Sequence, residues 1–346
     1  FIDGMKNAHS IGSAFQFVSY VRKEILTQFE TLPAIVAGAD LVIGASLVFA
    51  LSSVAESMAV PYRYIAFTPQ LLPSGHHPFP TFKHQWLPVW YNRMTWRMIR
   101  MFDRLNLTRV INKKRKGLGL KPIQDAWSKI LGHNPIVATD REVAEIPSDV
   151  GASVFQSGYI HLVQPDKDLP ELELFLKNGF SPVYAGFGSM PKQDQANIVS
   201  LVVEAARSIR QRVVIAKFWD ERSGPPPAND VFFIKRYPHL KLFPRMAAVI
   251  HHGGAGTTAS SAISGVPQII VPHILDQFYW GHRVHRCGLG PKPVWRSKLT
   301  SGRLAATIAE TLSNDKIKEK AKVVSKRIKR QNGLEIAVHE ILNASS

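Results

Sequence analysis

The stretch "VIHHGGAGTTASSAISGVPQIIVP", residues 249–272, decides the fold. An apolar run ends in two histidines, three glycines follow within four residues, and a helix-forming segment starts at once. A second apolar run, 268–271, comes next. Strand, turn, helix and strand in so short a span make a unit of a parallel sheet covered by helices on both faces. The glycines have a second use. Gly253, Gly254 and Gly256 carry no side chains, so backbone amides there can approach an anion closely. A helix beginning near Gly256 adds unpaired N–H groups and the positive end of its dipole. Thr257 and Thr258 add hydroxyls in the first turn, and one histidine can donate to a phosphate oxygen. The competing reading uses the glycines only to pack a tight strand-to-helix turn. A metal site is not expected. His251 and His252 are adjacent and point to opposite faces of an extended strand, and the pair Asp166 and Asp168 sits in a proline-containing linker.

Outward from this stretch the alternation continues. Strands are expected at 183–187, 213–218, 231–234, 247–251 and 268–271, with helices at 193–210, 256–264 and 276–287. The first half gives a strand at 40–45, a helix at 47–58, a strand at 62–67, a long helical segment at 86–116, and strands at 135–139 and 154–158. "LVQPDKDLPEL" (162–172) reads as a linker. The chain has 346 residues, enough for two domains. The expected fold is α/β with two Rossmann-like domains, 1–163 and 164–346. In such sheets ligands bind beyond the carboxyl ends of the strands. The quoted stretch and "AGFGSMPK" (185–192) both lie at such ends, which places them in one crevice.

The composition, 45% hydrophobic and 20% charged, is that of a soluble globular protein. The longest mainly apolar uncharged stretch, 41–55, is too short to span a bilayer. The single cysteine, Cys287, excludes an intrachain disulfide and a four-cysteine zinc site and points to a reducing, cytoplasmic setting. No signal peptide is apparent, and the chain opens on Phe1 rather than methionine.

The net charge of +17 is concentrated. Residues 93–116 hold nine basic residues and one acid, and residues 316–330 hold eight and one. Two readings stay open: solvated helix faces, or a surface that meets anionic lipid or nucleic acid. No nucleic-acid module is present, and the aromatics near 93–109 alternate with methionines rather than forming a stacking platform. Arg93, Arg97, Arg100 and Arg104 recur at helical spacing among tryptophans and methionines. That pattern suits peripheral contact with an anionic membrane. The alternative is that the apolar side packs on the first sheet.

The run "FGSM", then "HHGGAGTT", then "GVPQIIVPHILDQFYWGHRV" resembles the nucleotide-sugar glycosyltransferases with two Rossmann domains (GT-B). The resemblance is closest to the bacterial and sterol-type branch of the UDP-glycosyltransferase superfamily. It is close over 180–343 and looser in the first half, through "GADLVIGASLVFA", "AVPYRYIAFTPQLLP" and "LPVWYNRMTWRM". The resemblance implies that His252 contacts the donor diphosphate, with Gly254, Gly256 and Thr257 in the phosphate turn. Gly188 and Ser189 then meet the phosphates from the other strand, and Asp276 and Gln277 hold sugar hydroxyls. A carboxylate accepting from two hydroxyls beside an amide that both donates and accepts is sound chemistry for that task. The sequence departs from the family in two places. Lys241 in "YPHLKLFPR" stands where an aromatic is expected beside the nucleobase. The family's first strand and its glycine-rich turn, which usually supply the catalytic base, are missing, so the N-terminal domain is expected to be incomplete and the base stays unassigned.

The resemblance implies inverting, metal-independent transfer of a hexose from a UDP- or dTDP-sugar, UDP-glucose first among them. The acceptor would be a lipophilic hydroxyl compound: a sterol, lipid, polyketide or polyphenol. No cofactor is expected beyond the donor substrate. The N-terminal domain would bind the acceptor, the C-terminal domain the donor, and the final helix would pack back on the first domain. The acceptor is expected against "FTPQLLPSGHHPFP" (67–80), with Pro69, His76 and His77 in that region. Two other readings remain: a catalytically silent binding partner of glycosyltransferase form, and a nucleotide-sugar epimerase of the same architecture.

Overall fold

The computed structural model describes residues 11–151, 153–162, 165, 168–188, 192–216 and 229–343. Four short strands form the first sheet: β1 (Val42–Ala45), β2 (Tyr62–Ala66), β3 (Ile136–Val137) and β4 (Phe155–Gln156). They lie side by side in chain order and all run parallel. A helix that the sequence reading did not assign, α1 (Ile11–Val36), packs on this sheet with α2 (Leu51–Ser57). Its signal is present in Val21, Ile25 and Phe29, buried at four-residue spacing against Val54 and Tyr64.

The long helical segment forms as expected, in one continuous rod. α3 (Val89–Asp103) passes through a single π-helical turn at Arg104–Thr108 into α4 (Arg109–Gly117). Arg115 of α4 is buried and forks onto both carboxylate oxygens of Glu56 at 2.8 and 3.0 Å. That guanidinium holds the Glu56 carboxyl down at about pKa 2. One member of the basic run therefore ties α4 to α2 rather than facing solvent. α5 (Ala126–Leu131) follows, capped by Asp125, which accepts from the Ser128 amide.

The second sheet holds β5 (Val183–Gly186), β6 (Val213–Ala216), β7 (Val231–Ile234), β8 (Ala248–His251) and β9 (Gln268–Ile270). All its pairings are parallel, in the order β7-β6-β5-β8-β9. Its strands are near-continuous runs of Val, Ile and Ala because helices cover both faces. Those helices are α6 (Pro170–Lys177), α7 (Lys192–Ser208), α8 (His239–Leu242), α9 (Ala255–Ser264), α10 (Gln277–Arg286), α11 (Ser301–Ser313) and α12 (Asp315–Ile328). The chain moves outward from β5 through β6 to β7, then returns to β8 on the other side. The strand order thus reverses between β5 and β8, where an open α/β sheet leaves a crevice.

The expected domain boundary, between 163 and 164, lies outside the described residues, as do Asp166 and its neighbour 167. Each half lends a segment to the other. Val143 and Ala144 pack among Ala262, Tyr279, Trp280 and Val284, and Arg283 Nε donates to the Val143 carbonyl at 2.9 Å. In return α13 (Gly333–Asn343) places Ile341 among Ile65, Ile136 and Ala138 of the first sheet. Among the described residues no helix is long and apolar enough to cross a membrane.

Candidate active site

At the reversal point Gly186 of β5 lies opposite His251 of β8. The two turns that follow these strands therefore meet. Ser189, from the first of them, lies outside the described residues. The two histidines do different work. His251 is fully buried, its Nδ1 accepts the Gly253 amide at 3.1 Å, and its Nε2 bonds Gln268 Oε1 at 3.0 Å. That pattern fixes the neutral tautomer with the proton on Nε2. Burial pushes its pKa down to about 3. His251 is thus a structural brace for the glycine turn.

This brace makes a testable demand. Gln268→Leu leaves the Nε2 proton of His251 buried without an acceptor and is expected to cost about 1–3 kcal/mol of stability in thermal unfolding. The pH dependence has a definite sign. A histidine whose pKa is lowered on folding contributes fully above its unfolded value of about 6.5, and the contribution is lost as pH falls toward its folded value of about 3. Stability of the wild type that is flat across that window would contradict the assignment.

His252, on the opposite face of the strand end, sits between glycines from both turns. A Cβ on Gly188 would lie 3.0 Å from its Cε1, and one on Gly254 would lie 2.6 Å from its Nε2. Gly188 also has a φ of +62°, which glycine adopts without strain. Among the described residues the buried Nδ1 of His252 makes no hydrogen bond. Burial holds its pKa below the usual histidine value, with the Gly186 backbone opposing that effect. Beside it, the N-cap of α9 is Gly254, which brings no side chain of its own to cap the helix. Thr257 is half-buried in the first turn. Thr258 is not available to a ligand in the same way, since it is fully buried and its hydroxyl donates to the Gly254 carbonyl at 3.0 Å. Gly256 is exposed, and a Cβ there would lie 3.1 Å from Tyr159 Oη.

The start of α10 abuts the same turn. Gly253 has a φ of +89°, and a Cβ on it would lie 2.9 Å from the Gln277 carbonyl oxygen. Asp276 accepts from Trp280 Nε1 at 3.2 Å, and burial raises its pKa to about 6. Gln277 Oε1 accepts from the amides of His273 and Ile274 at 2.8 and 3.1 Å. Its amide oxygen thus shapes the preceding loop, and only its NH₂ group remains for a ligand. Gln277→Glu keeps both loop bonds and removes that donor. It is expected to weaken binding of a nucleotide sugar about tenfold more than binding of the free nucleotide, measured by titration calorimetry. Equal losses for both ligands would assign Gln277 to the loop alone.

From the first sheet, Phe67 follows β2 with its ring 5.8 Å from that of Tyr159, which in turn lies 4.9 Å from His161. Asp140 Oδ1 accepts the Tyr159 amide at 3.0 Å, while its buried Oδ2 has no hydrogen-bond partner among the described residues. Burial raises the Asp140 pKa to about 6. The sequence reading missed Tyr159 and Asp140, because neither belongs to a glycine turn. Through Tyr159 and Gly256 the carboxyl end of the first sheet faces the N-terminus of α9. Of the expected acceptor residues, His76 is exposed, Pro69 is buried at the start of a short 3₁₀ turn, and His77 is buried. The His77 ring lies 5.8 Å from Tyr279 of α10 and its pKa is pushed down to about 4 by burial, so it acts in the packing between the halves. Among the described residues no group of three or more His, Cys, Asp or Glu side chains is placed to hold a metal ion.

The chain is similar to known proteins in sequence and in fold. Residues 201–339 match the family described as erythromycin biosynthesis protein CIII-like, C-terminal domain. The chain is 33% identical over 334 residues to the glycosyltransferase GtfC of Amycolatopsis orientalis, covering 94% of this chain and 79% of that protein. It is 31% identical over 310 residues to a sterol 3-beta-glucosyltransferase of Arabidopsis thaliana, covering 87% of this chain and 48% of that one. Among solved structures, the glycotransferase of kitacinnamycin shares the fold with a TM-score of 0.72 at 17% identity, over 94% of this chain and 81% of that one. The chain belongs to the UDP-glycosyltransferase superfamily: it is a glycosyltransferase of the GT-B fold that takes a nucleotide-sugar donor.

Proposed function

We propose that this glycosyltransferase transfers a hexose, glucose from UDP-glucose in the first instance, to a hydroxyl of a lipophilic acceptor, with inversion and without a divalent cation. One observation carries the reading: His252, enclosed by Gly188 and Gly254, lies beside the N-terminus of α9, where the N-cap Gly254 brings no side chain. In the transition state the departing diphosphate gains negative charge. Fixed donors aimed at that charge lower the barrier, and they do so without reorganising. The first-turn amides of α9, the Thr257 hydroxyl and His252 are those donors. With them in place, a cation is not needed to neutralise the leaving group.

Asp276 and the NH₂ group of Gln277 would read the sugar hydroxyls from the start of α10. The half carrying the first sheet would hold the acceptor and the half carrying the second sheet the donor. The acceptor oxygen then approaches from the side of Phe67 and Tyr159, opposite the diphosphate, which inverts the anomeric centre. The name of the sterol glucosyltransferase relative supports both glucose and a polycyclic alcohol acceptor.

The test is product mass spectrometry with UDP-glucose and pooled sterol and polyphenol acceptors, run with and without a chelator. Glucosylated product in equal yield in both arms is expected. A strict requirement for magnesium or manganese would contradict the assignment of the leaving-group charge to α9 and His252.

A further inference from the structure

α3 buries its polar side and exposes its apolar one. Asn92, Thr95 and Asp103 are buried beside Trp96. On the outside stand Trp90 (66% exposed), Met98 (51%), Met101 (65%), Phe102 (48%) and, in the π turn, Leu105 (53%). The cause lies in what α3 packs against. Asn92 donates to the Gly75 and Leu87 carbonyls at 2.8 and 3.1 Å, Thr95 accepts the Phe79 amide at 3.0 Å, and Trp96 donates to the His77 carbonyl at 3.3 Å. The loop presents backbone polar groups, so the helix answers with polar side chains, and its methionines stay outside. α12, in the second basic run, does the opposite and ordinary thing. It buries Ile317, Ala321, Val324 and Ile328, with most of its lysines exposed.

We propose that the outer face of α3 and the π turn docks on an anionic lipid bilayer. Charge complementarity selects that occupant. Exposed Arg93, Arg97 and Arg104 border one side of the apolar stripe, and exposed Arg109 and Lys113 continue the basic run into α4. The segment 93–116 holds one acid, Asp103, against nine basic residues, so it stays strongly positive even with Arg93 paired to Asp149 at 3.7 Å. Apolar side chains enter the boundary between headgroups and acyl chains while the arginines meet lipid phosphates. Just ahead of α3, the exposed Trp86 leads toward the start of α10. The Trp86 ring lies 6.5 Å from Trp295, itself 5.6 Å from Phe278 next to Gln277. If the acceptor is lipophilic, as the proposed function has it, docking places the crevice mouth at its reservoir. The docking itself does not depend on that reading.

Co-sedimentation of the full chain with vesicles tests it. The two compositions are phosphatidylcholine alone and an equal mixture with phosphatidylglycerol, each at low and high salt. The wild type is expected to bind the anionic vesicles at least about tenfold more tightly at low salt, and to lose that preference at high salt. The pair Arg97→Glu with Arg104→Glu, and separately the pair Met98→Ser with Met101→Ser, should each weaken binding about tenfold or more. Both variants should keep wild-type turnover of a water-soluble acceptor, which shows that they are folded. Absence of binding to anionic vesicles at low salt would overturn the proposal, as would unchanged binding by either variant. A concentration-dependent dimer abolished by Met98→Ser with Met101→Ser would overturn it too, assigning the face to a second copy of the chain.

Discussion

Replacing His252 by alanine is expected to lower kcat/KM by roughly 10²–10³-fold while leaving the melting temperature nearly unchanged. The size follows from position. The ring sits between the turns after β5 and β8, with Gly188 and Gly254 leaving it room and its Nδ1 unpartnered among the described residues. A group that touches the leaving diphosphate contributes most when negative charge peaks, so kcat falls along with donor affinity. His252 makes few bonds that hold the fold, unlike His251, whose two ring nitrogens are both engaged. His251→Ala should therefore show the reverse profile, with stability lost first. A His252→Ala enzyme of wild-type rate would remove the histidine from the mechanism.

The neighbouring glycines separate structure from chemistry in the same way. Gly253→Ala is expected to cost about 2–5 kcal/mol of stability. Its φ of +89° strains any L side chain, and the new Cβ would lie 2.9 Å from both the Gln277 carbonyl oxygen and Ile270 Cγ2. Backbone cannot move aside cheaply, so the start of α10 shifts and sugar recognition is lost with it. Gly254→Ala has no such strain, since its φ of −68° and ψ of 143° suit any residue. Its Cβ would instead lie 2.6 Å from His252 Nε2 and displace the imidazole. Activity should then fall with little change in melting temperature. Thermal unfolding and kcat/KM measured on both variants check the pair, and a Gly254→Ala protein that melts as early as Gly253→Ala would contradict it.

Much of the donor half is legible in the sequence because its signals are local. Continuous apolar runs mark buried parallel strands, and the glycine turn sits where a strand must give way to a helix. The opposed faces of His251 and His252 follow from strand periodicity alone. Which of the two is the brace does not, because Gln268 comes beside His251 only through the pairing of β8 with β9. Thr257 and Thr258 look alike in sequence, and only the first turn of α9 sends the second hydroxyl back to Gly254. Gln277 reads as a free amide until the loop amides of His273 and Ile274 are seen to occupy its oxygen.

The acceptor side is less legible for a related reason. Tyr159 reaches the α9 turn by packing between the halves, and Asp140 accepts its backbone amide from within the first half. α3 carries an amphipathic pattern that leaves two readings open in sequence, an apolar side packed on the first sheet or one turned outward to a membrane. Its orientation is set by the carbonyls of Gly75, Leu87 and His77, a pattern of backbone acceptors that no side-chain periodicity encodes.

The placement of the donor diphosphate is tested most directly by a crystal structure of the full chain with UDP or dTDP bound. The diphosphate oxygens are expected within about 3 Å of a His252 ring nitrogen and of backbone amides in the first turn of α9. A diphosphate held elsewhere, with His252 and that turn out of hydrogen-bond reach, would contradict the assignment of this crevice as the donor site.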